Sequence, residues 1–381
     1  MRLPKLTDRM SQLIGTPSVS CTHPDIDMSN LPVIELLADW FQQLGFNVEI
    51  QHLEGMPGKA NLIATLGQGP GGLVLSGHTD TVPFNESRWQ SDPLRLTEKD
   101  NKLYGLGTCD MKGFFSVVIE SLIPYLDQPL KQPLIILATA DEESSMSGAR
   151  ALAQQGFPKA RYAIIGEPTG LKPIHMHKGI MMEVIRIQGK AGHSSNPALG
   201  NNALDAMHDV MGELKTFRKE LAQKYQNADF EVSVPTLNLG CIHGGDNPNR
   251  ICGSCELQYD LRALPGMNND DLRTEIQQRL KPLAETHQVE LSAEAIFEGV
   301  PSFATEKNSP IVTLAEQLTG HTSEAVAFAT EAPFLQQMGM ETIVLGPGSI
   351  DQAHQPDEFM ALDQIDPMVS ILRKMIEHCC L

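Results

Sequence analysis

The sequence predicts an α/β fold in which a mostly parallel sheet, with helices on both faces, is interrupted by an inserted α+β unit. Apolar runs alternate with amphipathic helical segments up to about Lys178 and again after about Pro301, which is typical of a parallel sheet. The intervening segment has the order β-α-β-β-α-β, which indicates a ferredoxin-like unit. A chain of 381 residues is also too long for one ordinary core, so two domains are expected.

The elements before Lys178 alternate between helices and strands. The second helix is marked by Asn30 as its cap, Pro32 in its first turn and Gly45 just beyond its end. In chain order, the predicted elements are helices Leu3–Ile14 and Leu31–Leu44, strands Asn47–Gln51, Asn61–Leu66 and Leu73–Ser76, helix Lys112–Tyr125, strand Leu134–Ala138, helix Ser147–Gln155 and strand Tyr162–Ile165.

The inserted unit and the return to the α/β pattern follow. The inserted elements are strand Met182–Gln188, helix Asn202–Gln223, strands Thr236–Cys241 and Glu256–Ala263, helix Asp270–Glu285 and strand Glu290–Phe297. After Pro301 come a helix, the strand Thr342–Leu345 and a helix from Asp363. We therefore predict a discontinuous larger domain of residues 1–179 and 300–381 and an inserted domain of residues 180–299.

Composition narrows the range of partners and compartments. Asp and Glu outnumber Lys and Arg by 47 to 29, which argues against a nucleic-acid partner; the excess suits a cationic small substrate or is simply a solvated acidic surface. No stretch reaches the roughly 18 apolar residues of a membrane span. The opening residues do not resemble a secretory signal, and the seven cysteines are few and odd in number. We therefore expect a reducing cytoplasm and no membrane partner.

Several alternative chemistries find little support in the sequence. Cys252 and Cys255 have the spacing of a redox or zinc pair, but a zinc ribbon needs a second pair, so a structural role is expected. Cys109 has no histidine beside it that could act as its base. The chain contains no Gly-x-Ser-x-Gly elbow of a serine hydrolase and no phosphate-binding glycine pattern.

Histidine and carboxylate side chains follow the predicted buried strands. In an open α/β sheet, ligands bind beyond the carboxyl ends of the strands, so residues at these ends converge in space. Two imidazoles and several carboxylates suit Zn²⁺ or a close relative. The sequence therefore predicts a two-metal centre able to hydrolyse an amide. The candidates are His78 and Asp80, Asp110, Glu142 and Glu143, Glu167, and His354.

The first candidates each have a plainer interpretation as well. In an extended loop, His78 and Asp80 point the same way, so Asp80 can hold the second ring nitrogen of a metal-binding His78. The two residues can equally form a solvated pair at a strand end. Asp110 lies in a loop flanked by glycines, where its carboxylate can bridge two metals, or it can cap the helix that follows.

The remaining candidates also leave alternatives open. Glu142 and Glu143 repel each other unless a cation compensates; one can bind metal while the other transfers a proton, or both can begin an exposed acidic loop. Glu167 and His354 are weak candidates individually, and His193 is expected to be a surface histidine when its residue type alone is considered. The joint placement of five candidates at strand ends favours the metal centre.

Six motifs, taken together in this order, resemble those of the dinuclear zinc aminoacylase/exopeptidase family. That family includes acetylornithine deacetylases, succinyl-diaminopimelate desuccinylases, aminoacylases and glutamate carboxypeptidases. The resemblance spans essentially the whole chain. The motifs are Ser76-Gly-His-Thr-Asp80, Gly107-Thr-Cys-Asp-Met-Lys-Gly113, Ala140-Asp-Glu-Glu143, Gly166-Glu-Pro-Thr169, Gly192-His-Ser194 and Ala353-His-Gln-Pro356.

The resemblance implies a role for each matched residue. Two Zn²⁺ ions per subunit are expected, with Co²⁺ as a possible substitute. It further implies a homodimer in which the inserted domain is the lid and dimerisation domain, and in which His193 reaches the neighbouring subunit's site to stabilise the oxyanion. The implied ligands are His78, Asp110 and Glu167 for one ion and Asp110, Glu143 and His354 for the other, with Asp110 bridging, Glu142 as general base and Asp80 orienting His78.

Further segments resemble the acetylornithine deacetylase branch, among them Ala329-Thr-Glu-Ala332 and Gln355-Pro-Asp-Glu358. Peptidase relatives usually have Asp-Asp where this chain has Asp110-Met111. This branch implies a cytoplasmic enzyme of arginine biosynthesis that splits N-acetyl-L-ornithine into acetate and L-ornithine. Arg250 would bind the α-carboxylate, because its planar fork suits bidentate pairing, and Glu331 would bind the side-chain ammonium.

Three alternatives stay open at this point. A sibling hydrolase, such as a desuccinylase or a general aminoacylase, would have the same metals and a different pocket. A non-catalytic metal-binding dimer is a second alternative, which the presence of Glu142 disfavours because the metals do not need it. A purely cation-binding acidic protein is a third, disfavoured because the sequence contains no EF-hand loop.

Overall fold

A computed structural model describes residues 3–381, which form two compact units. The large unit comprises the residues up to His175 together with Thr305–Glu324 and Thr330–Leu381. The small unit comprises Met176–Ala304 and Ala325–Ala329. Among the described residues, no helix combines the length and the apolar character that a membrane crossing requires.

Nine α-helices and eighteen strands are found in residues 3–381. The helices α1 to α9 are Leu6–Ile14, Leu31–Gln43, Gly113–Leu122, Ser147–Gln155, Ala203–Lys224, Asn269–His287, Pro310–Thr319, Ala332–Gln337 and Ile365–Cys380. The strands β1 to β18 are Asn47–His52, Ala60–Leu66, Leu73–His78, Thr97–Lys99, Lys102–Tyr104, Leu134–Thr139, Tyr162–Ile165, Ile174–His177, Met181–Gln188, Gly192–His193, Thr236–Gly244, Arg250–Ile251, Ser254–Arg262, Glu290–Ala295, Phe303–Ala304, Glu324–Val326, Glu341–Val344 and Phe359–Ala361.

The central sheet of the large unit is parallel in its middle. The sheet contains nine strands, and six of them run in the order β1-β2-β6-β3-β7-β17. Strands β6, β3, β7 and β17 are parallel to one another, whereas β2 is antiparallel to its neighbours β1 and β6. Every residue of β3, β6 and β7 is buried, as expected for apolar strands covered on both faces. Helix α3, which is almost wholly buried, packs against α1, α9 and β3. The predicted α/β fold is confirmed.

The small unit has the β-α-β-β-α-β order of a ferredoxin-like fold. Its four long strands form an antiparallel sheet in the order β11-β13-β9-β14, and α5 and α6 pack against it. Side chains of β13 alternate between buried and more exposed positions, because successive side chains point to opposite faces and the helices α5 and α6 cover one face of the sheet. Asn202 and Asn268 cap the two helices by accepting backbone N–H groups with their side chains.

One detail of the sequence prediction is wrong. Asn30 occupies the predicted N-cap position of α2, but its side chain makes no capping hydrogen bond. Its side chain instead donates to the carbonyl oxygen of Ala60 and to the hydroxyl of Thr79, both at 2.8 Å. The hydroxyl of Ser29 accepts the N–H of Leu31 at 3.1 Å in its place. Asn30 is fully buried, so its amide satisfies the β2 backbone rather than the helix end.

Candidate metal centre

Three parallel strands end at the same edge of the central sheet. The ladder pairs His78 of β3 with Thr139 of β6, and Ser76 of β3 with Ile165 of β7. The loops after β6 and β7 therefore start at the level of His78. This register brings Glu142, Glu143 and Glu167 to the same edge of the sheet.

The two imidazoles face different oxygens of one carboxylate. Nε2 of His78 lies 3.0 Å from Oδ1 of Asp110, and Nε2 of His354 lies 3.6 Å from Oδ2 of Asp110. Nε2 of His78 also lies 3.8 Å from Oε1 of Glu167, and Nε2 of His354 lies 3.0 Å from Oε2 of Glu143. His78, Asp110 and Glu143 each offer an atom within 4.8 Å of the others. The five predicted ligands are thus in one cluster.

The loop that carries Asp110 is closed tightly on itself. The N–H of Gly113 donates to the carbonyl oxygen of Gly107 at 2.9 Å. Gly107 has φ +84°, and a Cβ on Gly113 would lie 2.1 Å from the carbonyl oxygen of Thr108. Both positions therefore require glycine.

Asp110 does not cap the helix that follows it. The N-cap residue of α3 is Lys112, and its side chain makes no capping hydrogen bond. The capping alternative for Asp110 is therefore wrong.

Glu358, which was not predicted to be a site residue, accepts hydrogen bonds from the backbone of this loop. It is 1% exposed. Its Oε1 accepts the backbone N–H groups of Gly107, Cys109 and Asp110 at 3.1, 2.8 and 3.0 Å. Burial raises the pKa of Glu358 to about 8, against the effect of these donors. Oε1 remains an acceptor whether or not Oε2 carries a proton.

Asp80 connects the loops that follow β3 and β6. It is fully buried, and its Oδ2 accepts the N–H of Glu143 at 3.0 Å. Nδ1 of His78 lies 3.0 Å from the backbone carbonyl oxygen of Asp80 and 3.7 Å from its Oδ1. The closer partner of the His78 ring is therefore the main chain of Asp80. Either oxygen would favour the tautomer that leaves Nε2 free to bind metal.

Asp141, also missed from the sequence, shapes the turn before the glutamate pair. Its φ is +64°, a left-handed conformation that Asp adopts more readily than most residues. Oδ1 of Asp141 accepts the Ser20 hydroxyl at 2.8 Å, and Oδ2 accepts the Ser145 hydroxyl. These bonds fix the direction in which Glu142 and Glu143 leave the strand. The only sequence indication was its position inside the Ala140-Asp-Glu-Glu143 motif.

The buried charges of the cluster are unbalanced without a cation. Burial raises the pKa of Glu142, and that of Glu167, well above the usual range. Burial lowers the pKa of His78, but its hydrogen bond with Asp110 and the nearby carboxylates outweigh this and raise it. Among residues 3–381, no group donates a hydrogen bond to the buried Oε1 of Glu143. A cluster of N and O ligands with an orphaned acceptor fits a divalent cation, which would favour the ionised carboxylates.

Glu331 brings a further carboxyl group to the surroundings of this cluster. It is 1% exposed, and burial raises its pKa to about 7. Neither of its oxygens has a hydrogen-bond partner among the described residues. The Thr139 hydroxyl, which partly offsets the raised pKa of Glu331, donates to the carbonyl oxygen of Gly77 at 3.2 Å. The charge of Glu331 contributes to the raised pKa of Glu142. A buried, unpaired carboxylate of this kind is suited to a cationic ligand group.

The last two predicted site residues belong to the small unit. His193 of β10 is the register partner of Arg250 of β12, and both are exposed. The guanidinium of Arg250 pairs with the carboxylate of Asp246. Nδ1 of His193 lies 2.7 Å from the hydroxyl of Ser195. The structure therefore places these two side chains next to each other in the small unit and the other eight candidates in the large unit.

Cys109 has the character of a packed thiol. It is 1% exposed, its Sγ lies 3.4 Å from the carbonyl oxygen of Ser349, and burial raises its pKa far above the ordinary value. A thiol held neutral in this way is a poor nucleophile. Cys252 and Cys255 are likewise buried and form no disulfide.

The sequence matches peptidase family M20/M25/M40 over residues 74–378, which is most of the chain. The chain belongs to this family. Two curated relatives are the acetylornithine deacetylases of Pasteurella multocida (strain Pm70) and Vibrio campbellii (strain ATCC BAA-1116). Each is 49% identical over its alignment; the first alignment covers all of this chain and 99% of the relative, and the second covers both completely. The predicted resemblance is confirmed, and this M20/M25/M40 chain is a hydrolase.

Solved structures support the M20/M25/M40 fold. An M20 family metallo-carboxypeptidase from Sulfolobus solfataricus superposes with a TM-score of 0.78 at 16% identity, covering 98% of this chain and 99% of the other. A tripeptidase from Staphylococcus aureus gives 0.75 at 19% identity, with 98% and 97% covered. A dinuclear metal-binding M20 peptidase from Bacillus subtilis gives 0.69 at 12% identity, with 97% and 96% covered. At these identities the likeness concerns the fold alone.

Proposed function

We propose that this chain is a metal-dependent amide hydrolase that converts N-acetyl-L-ornithine and water into acetate and L-ornithine. The curated relatives named acetylornithine deacetylase, which align over its full length, support the choice of substrate. The observation that carries the chemistry is the position of Glu142 beside the cluster of two imidazoles and three carboxylates. In a cytoplasm, the L-ornithine product would enter arginine biosynthesis.

The cluster would hold two metal ions, which we propose are Zn²⁺ with Co²⁺ as a substitute. His78 and Glu167 would complete one site and Glu143 and His354 the other. Asp110 would serve both, since its two oxygens face the two histidines. Metal ions bound here supply Lewis acidity, which polarises the acetyl carbonyl and lowers the pKa of water.

Glu142 would carry the proton during the reaction. Its carboxylate accepts a proton from the water that attacks the acetyl carbonyl carbon. When the C–N bond breaks, Glu142 returns this proton to the ornithine nitrogen. A carboxyl group whose pKa is raised by burial is better matched to both steps than an ordinary glutamate. Asp80 would keep His78 and Glu143 in place through the contacts described above.

Three further side chains would recognise the substrate and its transition state. Glu331 would pair with the side-chain ammonium of ornithine, and Arg250 would bind the α-carboxylate through two parallel N–H groups. His193 would donate a hydrogen bond to the tetrahedral oxyanion. We propose that His193 acts in the site of the neighbouring subunit, within a homodimer formed through the small unit.

The first experiment is the initial rate of ornithine release from N-acetyl-L-ornithine by Zn²⁺- or Co²⁺-loaded protein. N-succinyl-diaminopimelate and an N-acetyl derivative of an uncharged amino acid run alongside. We expect a clear preference for acetylornithine that is lost on chelation and in Glu142→Ala. Equal or better turnover of a comparison substrate would favour the sibling hydrolases. Metal binding without turnover of any of the three would favour a binding protein.

The role of His193 is tested by mixing two inactive variants. Glu142→Ala and His193→Ala are combined, unfolded and refolded together. If His193 acts across the dimer, half of the reassembled dimers are expected to be hybrids with one intact site, which gives roughly a quarter of the wild-type rate by the closed symmetry of a dimer. No recovery, with hybrids verified by mass spectrometry, would place His193 in its own subunit's site or outside catalysis.

Arg250 is tested by truncation. Arg250→Ala should raise KM for acetylornithine and leave the metal content unchanged, because the clamp binds substrate and not metal. Arg186→Ala, an exposed arginine of the same unit that pairs with Glu256 and Glu294, is the matched control and should leave KM unchanged. An unaltered KM in Arg250→Ala would exclude the clamp.

A further inference from the structure

The backbone of the Asp110 loop converges on a single oxygen atom. Oε1 of Glu358 accepts three N–H groups, those of Gly107, Cys109 and Asp110, at 2.8 to 3.1 Å. Oε2 shares the Gly107 N–H at 3.1 Å. Several N–H groups aimed at one oxygen form a concave anion-binding arrangement of the backbone. A side chain at this position therefore determines the path of the loop.

The main chain of Glu358 is anchored as firmly as its carboxylate. Its carbonyl oxygen accepts the N–H of Gly105 at 3.0 Å. Immediately beyond it, β18 pairs with β5, with Phe359 opposite Tyr104. β5 in turn leads directly into the loop that begins at Gly107. The loop is thus held at its start by the β18 ladder and along its length by the Glu358 side chain.

Glu358 also lies four residues after His354 in the chain. Glu358 therefore links the loop that carries His354 to the loop that carries Asp110 through hydrogen bonds. Asp110 is the ligand that both sites would share, and its own N–H is one of the three that Glu358 accepts. A change in this hydrogen bond would rotate the backbone from which the Asp110 carboxylate projects.

We propose that Glu358 is a positioning residue that sets the direction of the shared Asp110 ligand through Oε1, and so determines how tightly both metal ions bind. This inference rests on the proposed role of Asp110 as the shared ligand. The carboxylate of Glu358 accepts backbone N–H groups of the Asp110 loop, so it would act on the metal ions through Asp110 and not as a ligand. Groups that orient a metal ligand in this way typically affect metal affinity by about 10- to 100-fold when they are removed.

The test separates the acceptor atom from the volume of the side chain. Glu358→Met keeps the length of the side chain and removes both acceptors, whereas Glu358→Gln keeps an oxygen at the position of Oε1. We expect Co²⁺ affinity, measured by titration, to fall about 10- to 100-fold in Glu358→Met and to recover most of this loss in Glu358→Gln. The visible absorption of the bound Co²⁺ should change in Glu358→Met and remain close to wild type in Glu358→Gln.

Glu183→Gln is the matched control, because Glu183 is also a buried glutamate, 3% exposed, but it pairs with Arg273 in the small unit. It should bind Co²⁺ like the wild type. Wild-type affinity and absorption in Glu358→Met would overturn the inference. Equal losses in Glu358→Met and Glu358→Gln would overturn the assignment to Oε1.

A measurement on the wild type covers the case in which Glu358→Met does not fold. In metal-free wild-type protein, the N–H groups of Gly107, Cys109 and Asp110 should exchange slowly with solvent deuterium. Exchange at the rate of an open loop would overturn the inference. These readouts do not involve acetylornithine. A protein that shows them without deacetylating would therefore refute the proposed function and leave the role of Glu358 intact.

Discussion

Nε2 of His354 lies 3.0 Å from Oε2 of Glu143, although 211 positions separate the two residues in the chain. The φ of His354 is +61°, a left-handed conformation that is uncommon outside glycine, although histidine adopts it more readily than most residues. Such strain persists where the surroundings impose it, most often at functional sites. The hydrogen bond with Glu143 raises the pKa of His354 to about 9. A proton therefore occupies the nitrogen that a metal ion would use.

Metal binding near neutral pH should release this proton. Below a pH of about 9, His354 must lose it before Nε2 can bind metal, so apparent metal affinity should fall as the pH falls. Calorimetric Zn²⁺ titrations in buffers of different ionisation enthalpy measure the number of protons released. His354→Ala should release about one proton fewer than the wild type. His321→Ala, an exposed histidine of the same unit, is the control and should match the wild type.

The metal-free protein should become less stable between about pH 4.5 and pH 7 because of Glu331. Its pKa rises from 4.5 in the unfolded chain to about 7 in the folded protein. The unfolded state therefore releases the proton first, and stability falls as the pH rises through this window. The loss of stability is at most about 3.5 kcal/mol, at about 1.4 kcal/mol per pKa unit.

Urea unfolding of metal-free protein at pH 5 and pH 8 checks this prediction. Glu331→Gln should lose less stability between the two values than the wild type. Glu98→Gln, at an exposed position, should behave like the wild type. The same loss in Glu331→Gln as in the wild type would show that Glu331 ionises normally in the folded protein.

Glu331 should also determine selectivity for a charged substrate side chain. Glu331→Gln is expected to reduce kcat/KM for N-acetyl-L-ornithine by roughly 10- to 100-fold, the usual size of a lost hydrogen bond to a charged group. N-acetyl-L-norvaline has a similar side chain without the ammonium, and its kcat/KM should not fall. Parallel losses for both substrates would indicate that Glu331 acts on the metal cluster rather than on the ornithine ammonium.

Gly166, which precedes Glu167, should not tolerate a side chain. A Cβ at this position would lie 2.3 Å from Cδ1 of Phe114 in the buried helix α3. Gly166→Ala should therefore destabilise the protein by about 1–3 kcal/mol and lower its metal content. Gly212→Ala is the matched control, because a Cβ there meets no atom within 4 Å, and alanine favours a helix interior by up to about 1 kcal/mol. Urea denaturation with metal analysis distinguishes the two.

The elements and the clustering of the candidate ligands could be predicted because both follow from local patterns. Ser147–Gln155 and Tyr162–Ile165 begin and end at the predicted residues, since caps and apolar runs are encoded where they act. Strand ends in a parallel sheet converge whatever the loops contain. The predicted approach of Glu167 to His78 needed no knowledge of the intervening chain.

What could not be predicted depends on contacts between backbone groups and distant side chains. The Oε1 atom of Glu358 accepts N–H groups about 250 positions away in the chain. Almost every residue has a backbone N–H, so the sequence does not indicate which of these groups a distant side chain will bind. Asn30 was expected at a helix cap because short polar residues prefer caps. Its amide instead forms hydrogen bonds with the backbone of β2. These contacts depend on the tertiary structure and cannot be read from the local sequence.

Most of the small unit lies between a single pair of hydrogen-bonded residues, Ile180 and Val300. Ile180 and Val300 exchange both backbone hydrogen bonds at 2.8 Å, just before β9 and just after β14, which are themselves neighbours in the sheet. A chain segment whose first and last residues are hydrogen-bonded to each other can be exchanged as a unit, because the flanking chain needs only to provide two adjacent connection points. Exchange of residues 180–300 between relatives would transfer His193 and Arg250 together. The side chains proposed to contact substrate from the small unit would thus be exchanged together, while the candidate metal ligands of the large unit would stay unchanged.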